Sequence, residues 1–215
     1  MRVAVLCPTR DNPSGLSRLA ESVMATSSGR ATVVAYVDHD NQHRYSEVSH
    51  PGLEMVVGIP RLPAHAINEL CRELPGFDCY VNAVDDAEFE TPDWDLFVEQ
   101  GLAGFPGAIG VVAAHHNGVD AVNFAAVSRR WIETLGWMAC PDVAHFCWDT
   151  AVELLGEATS IRYATEHEFH VYHLRPENSR RVERFVPDCV QFLGWCISRR
   201  KDCIAKLRTA SRRND

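Results

Sequence analysis

Short apolar runs recur along the chain, each stopping at a polar or acidic loop and most followed by a segment of helical period. No other feature limits the possible folds as much. Residues 2–7 are apolar after Arg2 with little alternation, as a buried parallel strand should be. Residues 8–15, Pro-Thr-Arg-Asp-Asn-Pro-Ser-Gly, are turn formers. Leu16, Leu19, Ala20 and Val23 then recur at helical spacing, with Ser14 or Ser17 placed to cap the helix. Residues 31–37 predict a second strand that ends at Asp38, and residues 53–57 a third. Residues 58–63 break the chain, with Arg61 inside the break, and residues 64–74 read as a helix. This alternation predicts an α/β fold with a sheet flanked by helices.

Residues 78–95 carry the most chemistry. Tyr80, Val81 and Val84 suit a strand, and Asp85, Asp86 and Glu88 cluster where it would stop. In open α/β sheets, ligands bind beyond the carboxyl ends of the strands. Hard cations take oxygen ligands, commonly one or two carboxylates plus substrate phosphates. The acidic cluster therefore reads as a metal–phosphate site, against the plainer alternative of a solvated acidic turn. Asp38, just past the second strand, is placed to accept hydrogen bonds from a base or ribose, or to cap a turn. Neither Gly-x-x-x-x-Gly-Lys nor Gly-x-Gly-x-x-Gly is present, so dinucleotide binding of the usual type has no support.

Pro92 opens a further helix with acids in its first turn. Residues 108–114 and 121–127 read as strands, and Ser128 caps a helix over 129–135 that Gly136 closes. Residues 141–149 gather aromatics, His145 and Asp149 ahead of a helix over 150–155, and residues 161–164 form a short strand. His167, His170 and His173 follow at intervals of three. On a helix they would lie near one face; on a strand His167 and His173 would share a face opposite His170. They are candidate metal ligands, against the plainer reading of hydrogen-bonded surface or core histidines.

A chain of 215 residues suits one domain with an appendage. Its net charge of −8 is uneven: residues 180–215 hold 10 of the 21 Lys and Arg and 4 of the 29 Asp and Glu, or +6, leaving −14 on residues 1–179. A basic tail on an acidic body suggests a polyanionic contact, or simply a solvated helix face. No apolar run is long enough to span a bilayer and no signal-peptide pattern opens the chain, so a reducing cytoplasm is the expected compartment. Cys189, Cys196 and Cys203 recur every seven residues, which predicts one shared helical face of small buried side chains.

Taken in order, these segments resemble the GT-A-type glycosyltransferases, particularly small family-2-like members. Val-Ala-Val-Leu-Cys-Pro-Thr-Arg (residues 3–10) looks like their first strand and nucleotide loop. Val84-Asp85-Asp86 stands where Asp-x-Asp is usual, and Thr-Pro-Asp-Trp (91–94) trails it; the first Asp of the motif is replaced by Val84. Residues 124–136 look like the next family segment, residues 145–149 like the acceptor-side motif, and His173 like the late histidine of the metal shell. The resemblance covers residues 2–175. It implies a GT-A-like, Rossmann-type mixed sheet over residues 1–175, with a nucleotide half to about residue 95 and an acceptor half after it, then a helical basic segment over 176–215.

The resemblance also implies a donor, a nucleoside-diphosphate sugar held by Pro8, Thr9, Arg10, Asp38 and Arg61. It implies Mn²⁺ or Mg²⁺ on Asp86 with His173 as a remote ligand, Asp85 in support, and Asp149 as the base of an inverting transfer. The acceptor stays open among a nucleic acid such as modified DNA, an anionic lipid surface and an anionic glycan. Two rivals remain: a nucleotidyltransferase, and a non-catalytic nucleotide- or carbohydrate-binding module that the Val84 departure favours.

Overall fold

The computed structural model describes residues 1–116, 124–164, 169–173 and 185–212. Strands β1 (Val3–Thr9), β2 (Ala31–Asp38), β3 (Leu53–Gly58) and β4 (Cys79–Asn82) run parallel to one another. With β6 (Val111–Ala113), β8 (Ala125–Ser128) and β9 (Arg162–Ala164) they build a seven-stranded sheet in the order β3-β2-β1-β4-β8-β6-β9. β8 runs antiparallel to both neighbours, which makes the sheet mixed. A second sheet joins β5 (Ala87–Phe89), β10 (His170–His173) and β7 (His115–His116), with β10 in the middle.

The near-continuous apolar runs of β1 and β2 follow from burial on both faces. Val3, Val5 and Cys7 pack on one side with Leu16, Leu19 and Val23 of α1 (Pro13–Thr26) and Trp94 and Val98 of α3 (Trp94–Ala103). Ala4 and Leu6 face the other side, with α2 (Pro63–Glu73), α4 (Arg129–Leu135) and α5 (Trp148–Thr159). Trp195 of α6 (Phe185–Ser198) and Cys203 and Leu207 of α7 (Arg200–Ser211) join that second core. The basic C-terminal segment thus shares the core of the α/β unit.

Several sequence expectations need correction. Asn12, not Ser14 or Ser17, caps α1: its side chain accepts from the Gly15 N–H, with Pro13 as the first helical residue. α3 begins at Trp94, after Asp93 in a left-handed conformation, so Pro92 lies ahead of the helix. α5 begins at Trp148 rather than at residue 150, which places Asp149 inside its first turn. The seven-residue cysteine repeat does not lie on one helix, because α6 ends at Ser198 and Cys203 belongs to α7. Only Cys203 of the three is buried. His170 and His173 lie on a strand; His167 and residues 121–123 fall outside the described residues.

Candidate active site

Strand order sets the place of the site. From β1 the chain adds β2 and β3 on one side, then returns to place β4 on the other. Crevices at such reversals, beyond the strand carboxyl ends, are where open α/β sheets bind ligands. Here the β1 and β4 loops meet: Thr9 Oγ1 donates to Asp85 Oδ2 at 2.6 Å and lies 2.8 Å from Tyr45 Oη. Asn12 Nδ2 donates to Asp85 Oδ1 at 3.1 Å and to its carbonyl at 3.3 Å. Gly15 is required by this contact, since a methyl group there would collide with the Asp85 carbonyl and the Asn12 amide.

The cleft above this junction has a volume of about 300 Å³. Pro8, Thr9, Arg10, Asp38, Arg61, Asp85 and Asp86 all line it. Arg10 donates to Asp38 Oδ2 at 2.6 Å and pairs with both oxygens of Asp40 at 3.1 and 2.8 Å. The Arg61 backbone N–H donates to Asp38 Oδ1 at 3.1 Å, so Asp38 ties the β1 loop to the β3–α2 loop. The Arg61 guanidinium pairs with Glu69 at 3.2 Å, and its Nε is buried with no hydrogen-bond partner in the structure. A buried unsatisfied donor of a cation at a cleft wall suits an anionic ligand.

The paired carboxylates differ in setting. Burial pushes the Asp85 carboxyl above its ordinary value, and the neighbouring Asp86 charge adds to this against the Thr9 and Asn12 hydrogen bonds. Asp85 is thereby committed to holding two loops together. Glu88 leaves the acidic cluster: it lies on β5, 3.9 Å from Arg18 and opposite Tyr172. The β10 register sets His173 opposite Ala87, one residue from Asp86, while its side chain lies outside the described atoms. Among the described residues no group of three His, Cys, Asp or Glu forms a metal cage. The donor set fits a hard cation that takes a carboxylate and completes its shell with phosphate and water.

Asp149 does not line the cleft. Its Oδ1 accepts from the Thr150 N–H at 2.8 Å, and burial raises its carboxyl above the ordinary value. The loop just ahead of α5 supplies two cleft residues that the sequence did not single out as site residues, His145 and Phe146. Their backbone N–H groups donate to Asp188 Oδ2 at 3.0 and 2.9 Å, and Ala144 donates to Oδ1 at 3.5 Å. Asp188 is fully buried on α6. Nothing local marks it in sequence; Asn12, by contrast, is legible as a cap before Pro13.

The fold is that of the GT-A-type glycosyltransferases. The mannosyltransferase PcManGT of Pyrobaculum calidifontis, in complex with GDP-Man and Mn²⁺, matches 97% of this chain and 73% of its own at a TM-score of 0.67 and 17% identity. The glucosyl-3-phosphoglycerate synthase of M. tuberculosis matches over 93% of this chain and 81% of its own, with a TM-score of 0.60 and 14% identity. S. aureus TarS matches over 98% and 71%, with a TM-score of 0.57 and 10% identity. No protein-family model matches the sequence, and no curated protein does at the sequence level.

Proposed function

We propose that this protein is a glycosyltransferase that moves a sugar from a nucleoside-diphosphate sugar to an acceptor hydroxyl. The observation that carries the reading is the single cleft at the β1/β4 reversal, which gathers Pro8, Thr9, Arg10, Asp38, Arg61, Asp85 and Asp86. Asp38 suits the ribose or base, and the Arg61 guanidinium, with its unpaired Nε, suits the diphosphate. Asp85 orients the loop that carries Asp86. Asp86 and His173 would hold Mn²⁺ or Mg²⁺, and the ion would supply Lewis-acid neutralisation of the departing diphosphate. A structural neighbour holding GDP-Man and Mn²⁺ supports that donor class and ion.

Asp149, in the first turn of α5 just past the loop that supplies His145 and Phe146 and outside the cleft lining, would take the proton of an acceptor entering on that side. A carboxyl raised by burial is suited to base work. The acceptor oxygen bonds to the anomeric carbon as the bond to the diphosphate breaks, so one displacement inverts the centre.

The test is release of nucleoside diphosphate from a panel of nucleotide sugars, with Mn²⁺ or with chelator. Release from one donor, dependent on metal and lowered at least about a hundredfold in Asp86→Asn and Asp149→Asn, supports the reading. Donor binding without turnover, unaffected by Asp86→Asn, would favour the non-catalytic module; cleavage of nucleoside triphosphates alone would favour the nucleotidyltransferase.

A further inference from the structure

Helix α6 is apolar on the face it shows to solvent. Val186, Val190, Leu193 and Ile197 recur at the spacing of one helical stripe and are 67%, 63%, 60% and 84% exposed. The only charged residue of α6, Asp188, is buried on the opposite side, holding the 144–146 loop. Basic residues bracket the helix in sequence: Arg180, Arg181 and Arg184 precede it, and Arg199, which pairs with Asp142, Arg200 and Lys201 follow. We propose that α6 docks on an anionic lipid bilayer, its stripe entering the headgroup–acyl boundary and the flanking cations meeting lipid phosphates.

Two observations select this occupant. A helix of 14 residues is about 21 Å long. A stripe about 10 Å wide along it offers roughly 200 Å², well short of the ~800 Å² that each partner of a stable dimer buries. A bilayer needs no matching surface, only apolar side chains at the boundary and positive charge beside them. Charge along the sequence favours it too, since the segment over 180–215 carries +6 against −14 for the rest of the chain. Docking would also act on the helix whose Asp188 holds the cleft loop.

The experiment is co-sedimentation of the full chain with vesicles of equimolar phosphatidylglycerol and phosphatidylcholine, against phosphatidylcholine alone. The wild type should partition onto the anionic vesicles, less as salt rises and little onto the neutral ones. Leu193→Glu with Ile197→Glu should lower partitioning at least tenfold. Both sites are exposed, so the melting temperature should not move. Arg200→Glu with Lys201→Glu should weaken binding without touching the stripe. No partitioning of the wild type overturns the proposal, as does equal partitioning of the Leu193/Ile197 variant. A dimer abolished by that variant without vesicle binding would give the face to a second copy. Binding to duplex DNA without vesicle binding would give the basic segment to nucleic acid.

Discussion

Asp85 and Asp86 both line the cleft, and the hydrogen bonds of Asp85 tie it to the β1 loop. Asp85 is wedged between Thr9 and Asn12, and burial raises its carboxyl. An ionised group whose pKa is raised on folding opposes stability above its folded pKa and ceases to do so once protonated. Asp85→Asn should therefore raise the melting temperature at neutral pH, and the gain should shrink as pH falls toward the ordinary carboxylate value of 3.8. The same variant should lower turnover, because the Thr9–Asp85 link between the two loops weakens. A loss of melting temperature at pH 7 would contradict this. Gly15→Ala should damage the same junction from the other side: its methyl meets the Asp85 carbonyl, so donor KM should rise with little change in far-ultraviolet circular dichroism.

At the scale of elements, Asp188 links α6 to the cleft. It accepts three consecutive backbone N–H groups at the 144–146 loop. Asp188→Ala leaves them without that acceptor at a cost of about 2 kcal/mol, or roughly 5 °C in a domain of this size. Because His145 and Phe146 line the cleft, donor KM should rise as well, which a purely structural role would not require. The parts of this architecture that follow local pattern were legible in sequence. β1, β2 and β3 end within about two residues of the predicted positions, because each is a short apolar run cut by turn formers. The Asp85–Asp86 step was legible as a candidate because two carboxylates stand where the apolar run stops, a pattern that a solvated turn shares. Asp188 and Tyr45 were not, since their roles depend on partners 33 to 44 residues away in the chain. The cysteine repeat misled for a related reason: period alone does not reveal the break between Ser198 and Arg200.

For the molecule as a whole, two predictions follow from how charge and core are shared. The Arg10 hydrogen bonds hold Asp40 below the ordinary carboxylate range; Asn41 and Arg44 do the same for Asp11, and the N-terminal amine for Glu99. Groups depressed in the fold contribute stability above their unfolded pKa and lose it as pH falls through the folded value. Melting temperature should thus decline below about pH 4. The decline should be modest and flattened by salt, since these groups are exposed. The core makes a stronger statement. Trp195, Cys203 and Leu207 lie in the same cluster as β1 and α5, so a chain ending at residue 175 should lose cooperative melting. Each large buried side chain contributes about 2 kcal/mol, against a total stability of about 5–15 kcal/mol. Normal melting of that truncated chain would show the segment to be an appendage.

The proposed function requires one cleft to hold a nucleotide sugar together with a divalent ion on Asp86. The most direct measurement is the melting temperature with each of a set of nucleoside-diphosphate sugars, with and without Mn²⁺, in the wild type and in Asp86→Asn. At a hundredfold excess over Kd the donor should raise the wild-type melting temperature by about 5–10 °C. The rise should require Mn²⁺ and fall away in the variant. No rise with any donor, or an equal rise without metal or in Asp86→Asn, would contradict the claim.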